Sequence, residues 1–247
     1  MSVLLLRLAG PLQAWGASAR FVRRTTESAP TKSGVIGMLA AARGLDRDDD
    51  TRLAQLAALR FGVRLDQPGT RIRDFQTAHH AVTGKSMPLS ERFYLADAVF
   101  VAALEGDPVL LDDLYSALRA PVYPLFLGRR SCPPALPVEL GIRDTGLHEA
   151  LSDEPWHASS WYQKARRRDD AVSLTVLREP QADEQHGDTL RDQPLSFAAA
   201  HRRHALRSVI TATIQVPNPY AAAHRGRAAA RCVPRHDPFD AVEEETH

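Results

Sequence analysis

Apolar residues fall in short blocks along the chain, and each block has a readable period. Val3–Ala9 is an apolar run broken only by Arg7 and stopped by Gly10-Pro11, which predicts a buried first strand. A loop runs to about Pro30. Thr31 then offers a hydroxyl cap to a helix carrying Val35, Ile36, Met38, Leu39 and Ala42 on helical spacing. Asp48–Asp50 can open a second helix with Leu53, Leu56, Ala57 and Leu59 inward. Phe61–Leu65 alternates as a strand does, with Pro68-Gly69 as its turn. Phe93–Leu104 predicts another apolar strand, and Asp107-Pro108 starts a helix through Leu118, proline at its first position. Beyond Gly141 the pattern weakens. Ala171–Leu177 and Ser208–Val216 are strand candidates, while the polar Gln181–Gln193 predicts a surface loop.

One segment fits neither period. Arg71–Arg92 holds Arg71, Arg73, His79, His80, Lys85 and Arg92 against Asp74 and Glu91, with Thr83-Gly84-Lys85 as a natural tip. It predicts an exposed hairpin or arm. The order strand, helix, strand, arm, strand, helix suits an α+β layer of ferredoxin-like type over residues 1–140. Residues 141–247 are expected to form a smaller, β-rich C-terminal extension ending in an acidic, disordered tail.

Composition changes this picture only through the placement of charge. The 247 residues carry a formal net charge of +1, so the total says nothing about partners. Met1–Arg43 nevertheless holds six basic residues against Glu27, and His201–Arg235 holds seven arginines and no acid. Segregation of this kind is expected of a face that meets a polyanion. Two cysteines a hundred residues apart make neither a disulfide framework nor a zinc site, and Cys132 reads as a packing residue. His201 and His204 lack a third ligand nearby, so neither metal nor cofactor is expected. The first apolar run is too short for a signal or a membrane span, which predicts a cytoplasmic protein without membrane contact.

Three places can hold an anion. The helix start at Thr31, Lys32 and Ser33 offers backbone N–H groups, hydroxyls and an ammonium, although the glycines of a triphosphate loop are absent. Arg20, Arg23 and Arg24 precede it and would enlarge the patch. Gly128-Arg129-Arg130-Ser131 presents two guanidinium forks suited to phosphate oxygens. Trp15, flanked by Gln13, is a candidate stacking surface. His79 and His80 could move protons in metal-free RNA cleavage, or could simply line a solvated arm.

LRLAGPLQAWG (Leu6–Gly16), PTKSGVIGMLAAARGLDRDD (Pro30–Asp49), RDFQTAH (Arg73–His79) and YPLFLGRRSCPP (Tyr123–Pro134), in this order, resemble the CasD subunits of type I-E CRISPR Cascade complexes. The resemblance implies a RAMP protein: an RRM-like domain with a projecting β-hairpin thumb at about residues 71–92. It implies a non-catalytic subunit that grips the 5′ handle of the CRISPR RNA and caps the backbone filament beside the large subunit, meeting target DNA only indirectly. Gln13 and Trp15 fall in the family's first-strand loop, Thr31, Lys32 and Ser33 at the start of its first helix, and Arg129, Arg130 and Ser131 in its GRRS motif, all expected to bind the RNA, as is Arg92 on the strand returning from the thumb. Relatives in another subtype cleave precursor RNA, so a metal-independent endoribonuclease is the rival expectation.

Overall fold

The computed structural model describes residues 1–16, 23–181, 183–184 and 187–221, Arg23 by its backbone alone. In chain order the elements are β1 (Ser2–Ala9), β2 (Leu12–Gln13), β3 (Arg23–Arg24), α1 (Lys32–Ala42), α2 (Asp50–Ala57), β4 (Arg60–Gln67), β5 (Thr70–Gln76), β6 (Ser90–Ala96), β7 (Val99–Gly106) and α3 (Pro108–Arg119). β8 (Glu139–Arg143), α4 (Leu147–Asp153), α5 (Ser160–Ala165), β9 (Ala171–Arg178), β10 (Asp188–Ser196) and β11 (Arg203–Pro217) follow. The fold is α+β, built on one antiparallel sheet of seven strands in the order β10-β11-β9-β4-β7-β1-β8.

β1 explains its own unbroken apolar run. It lies between β7 and β8, and both faces are covered. Leu4, Leu6 and Leu8 pack with α1, α2 and α3, while Val3 and Leu5 pack with Leu147, Leu151 and Trp156 on the other face. A strand buried on both sides has no polar alternate positions.

The boundary expected at residue 140 falls inside β8, which pairs with β1; β9 in turn pairs with β4. The C-terminal strands therefore extend the first sheet, and their pairing partners lie a hundred residues away, beyond the reach of local pattern. Two further expectations change. Phe93–Leu104 is two strands in two sheets, because Asp97 turns the chain with φ 54° and its N–H donates to Pro11 O. The expected loop at Gln181–Gln193 gives way to β10 from Asp188 onward. Two of its polar residues are consumed inside the molecule: the Asp192 carboxylate is fully buried, and Gln193 donates to Ala57 O at the end of α2.

Candidate nucleic-acid interface

β5 and β6 form an antiparallel hairpin inserted between β4 and β7, with residues 77–89 as its tip. Every residue of β5 and nearly all of the tip is exposed. The opposite edge of β6 carries β2 at Ala96 and, in parallel, β3 at Glu91 and Arg92. Directly opposed residues share a face, so Arg71 with Leu95, Arg73 with Phe93 and Phe75 with Glu91 line one side of the hairpin. There Arg71 lies 4.9 Å over the Phe93 ring and Arg73 4.5 Å over the Phe75 ring. The other side carries Ile72 with Tyr94 and Asp74 with Arg92, beside Arg24 in register.

Tyr94 anchors that second side, and no sequence signal singled it out. Its ring is buried, and Arg129 lies 4.7 Å over it. Burial pushes the phenol up, but hydrogen bonds from Ser131 and Arg129, the Arg129 charge and a hydrogen bond from Arg92 together hold it below its ordinary value. Arg129 is an internal brace. It donates to Phe93 O at 3.1 Å and Arg24 O at 2.9 Å, tying β6 to β3. Arg130 and Ser131 stand exposed at the surface beside it. Gly128 makes the turn possible: its φ is +88°, and a Cβ there would lie 1.8 Å from Ala14 O. Cys132 is wholly buried beneath the turn, where burial raises its thiol pKa.

The other expected anion sites are closed. Thr31 caps α1 by accepting from Gly34 N, and Thr31, Lys32 and Ser33 are all buried. The Lys32 N–H donates to Asp192 Oδ2 at 2.8 Å, and its ammonium pairs with Glu179 at 2.8 Å. Asp192 also accepts from Arg207 Nε at 2.6 Å. The chain's own carboxylate thus takes the place at this helix start that sequence reading reserved for a phosphate. Trp15 offers no stacking surface: it is 0% exposed, packs against Gly34, and donates from its indole to Gln13 Oε1. Gln13 is equally buried, donating to Leu8 O and Ala98 O. Arg20 lies outside the described residues, as do the acidic tail and the arginines beyond position 221.

His79 and His80 are bound into the hairpin tip. His79 Nδ1 lies 3.2 Å from Gly84 O, and His80 Nδ1 accepts from the N–H groups of Val82 and Thr83. Lys85 is exposed at the same tip. Among the described residues no three His, Cys, Asp or Glu side chains gather as a metal site, and no helix is long and apolar enough to cross a membrane.

Residues 3–210 match the profile of the family described as CRISPR-associated protein (Cas_Cas5), and the chain belongs to that family. It is 37% identical to the CRISPR system Cascade subunit CasD of Escherichia coli (strain K12) over 158 residues, 57% of this chain and 70% of that one. A solved structure titled "CRISPR RNA-guided surveillance complex" contains a chain 33% identical with a TM-score of 0.70, covering 87% of this chain and 91% of that one. A crystal structure of a Cas protein is 36% identical with a TM-score of 0.67, covering 88% and 99%.

Proposed function

We propose that this chain is a non-catalytic subunit of a Cascade-type surveillance complex, acting in antiviral defence in the cytoplasm, and that it grips the 5′ handle of the CRISPR RNA. The sequence likeness to CasD and the structural likeness to a chain of an RNA-guided surveillance complex support membership. The strand-helix-strand-strand-helix-strand order, with β4-β7-β1-β8 side by side, supports the ferredoxin-like RAMP reading. The hairpin then takes the part of the thumb.

The observation that carries the RNA reading is the basic surface at the hairpin root. Arg24, Arg92, Arg130 and Ser131 surround a turn held in place by Arg129 and Tyr94. In this reading Arg92, Arg130 and Lys85 meet phosphates directly. Arg129 is a positioning residue whose guanidinium is committed to backbone carbonyls. The root caps the backbone filament beside the large subunit, and target DNA is met indirectly. Nuclease chemistry is not favoured, because the relatives that this chain resembles are a Cascade subunit and a chain of an RNA-guided surveillance complex.

The test is reconstitution of the complex with Arg92→Ala and Arg130→Ala together. Crosslinks from this chain to the handle should fall, and the slope of log affinity against log salt should drop by about 1.4, at roughly 0.7 per phosphate on a single strand. Unchanged crosslinking and slope would overturn the assignment. Site-specific cleavage of repeat RNA in EDTA by the purified chain, lost in His80→Ala, would establish the endoribonuclease instead.

A further inference from the structure

A second aromatic and basic surface lies on the opposite face of the main sheet. The chain has three tryptophans. Trp15 and Trp156 are buried at 0% and 5% exposure, whereas Trp161 on α5 is 58% exposed. Lys164, Arg166, Arg167 and Arg168 follow it within seven residues, all exposed, with Asp169 and Asp170 as the neighbouring acids. Four cations in five positions are notable in a chain whose net charge is +1.

The surface is braced from beneath. Tyr162 packs edge-on between Trp156 and Trp161, at 6.0 and 5.5 Å between ring centres. Arg166 lies 4.9 Å over the Tyr162 ring and donates to its hydroxyl at 2.8 Å. Lys164 lies 5.2 Å over the Tyr220 ring, and Asn218 donates to Arg166 O. Bracing continues to the hairpin root: Ser159 donates from N–H and hydroxyl to Gln67 Oε1, and Gln67 Nε2 donates to Asp97 O. The patch therefore stands at the end of the sheet from which the hairpin departs, on the α4 face, away from Arg129 and Arg130 on the α1 face.

We propose that this patch is a second binding site for single-stranded nucleic acid. One unpaired base stacks on Trp161, and Arg167 and Arg168 hold the adjoining phosphates. An exposed indole on a rigid support accepts any base face, and guanidinium groups beside it neutralise the backbone. An acidic protein segment would satisfy the arginines but would leave the exposed indole without a planar partner.

The buried state of the other two tryptophans makes the test direct. Titrating the full-length chain with twelve-residue oligothymidylate or oligouridylate at low salt should quench its emission and shield it from acrylamide. Trp161→Ala should abolish that quench and weaken binding by about tenfold. Arg167→Ala with Arg168→Ala should retain the thermal midpoint, because both side chains are exposed, and lower the salt slope by about 1.4. Preference for the RNA strand identifies a guide strand as the natural occupant, and preference for DNA the non-target strand displaced by guide pairing; both support the site. No quench by either strand, or an unchanged slope in the double variant, overturns it. Equal competition by polyglutamate independent of Trp161 would assign the surface to an acidic protein. The result is independent of the hairpin site, since none of its residues is altered.

Discussion

At the scale of single residues, polar groups decide where the molecule is vulnerable. Gly128→Ala places a side chain at positive φ against Ala14 O. It should destabilise the chain by more than about 2 kcal/mol in urea denaturation, well beyond the cost of an ordinary surface change. Asp192→Ala removes the nearer of the two carboxylates beside the Arg207 side chain, leaving Glu179 at 3.8 Å, and removes the acceptor at the start of α1. A loss of roughly 1–3 kcal/mol is expected, the usual penalty for buried donors that lose their acceptor. Glu154 sets part of the acid limit. Burial raises its pKa, but hydrogen bonds and charge from His157 and Arg143 hold it below its ordinary value of 4.5. A carboxylate depressed in the folded state adds stability that is fully present above the unfolded value and lost as pH falls through the folded one. Glu154→Gln should therefore flatten the loss of thermal midpoint below about pH 4.5, measured against the parent chain.

At the scale of elements, the corner at Asp97 separates the hairpin from the main sheet. Its φ of 54° is tolerated by Asp and favoured by Gly, so Asp97→Gly should melt within about 1 kcal/mol of the parent while Asp97→Val loses roughly 1–3 kcal/mol. The β-branched variant should also misdirect β6, visible as reduced protection of Tyr94 in hydrogen exchange and a phenol that titrates higher. The arm itself was legible from sequence because its polar, basic residues lack any apolar stripe. Its break from β7 was not, since Phe93–Leu104 is apolar throughout and only Asp97 carries the turn. The helix start at Thr31 was read correctly as a cap and differently as an anion site. Local chemistry marks free N–H groups but cannot show that Asp192 folds over them.

At the scale of the whole molecule, the sheet joins both halves of the chain. Residues 1–140 alone would keep only Glu139 and Leu140 of β8 and lack β9 to β11, leaving β4 and most of β1 without a neighbour on one edge and the face around Val3, Leu5 and Val101 uncovered. That fragment should show no cooperative melting transition by circular dichroism, whereas the full chain unfolds through one. Arg64 illustrates the same dependence. It reads as the polar position of an alternating strand, yet it is fully buried, paired with Asp66 and donating to Leu151 O, Glu154 O and Pro155 O. One residue of β4 thereby holds the end of α4 and the chain that leads to Trp161.

The sequence by itself determined the central strand, the first helices, the exposed arm and the guanidinium turn at Gly128–Ser131, because each depends on periodicity or on residues adjacent in the chain. It also carried the family likeness, spread over the first 140 residues. Tertiary structure alone decided which cations face outward. Arg129 and Lys32 are spent on carbonyls and carboxylates brought from a distance and Arg92 is half-buried beside Tyr94, while Arg130 and the Trp161–Arg168 surface remain open to solvent. Charge is written in the chain, but its availability depends on which partner folding brings within about 3 Å.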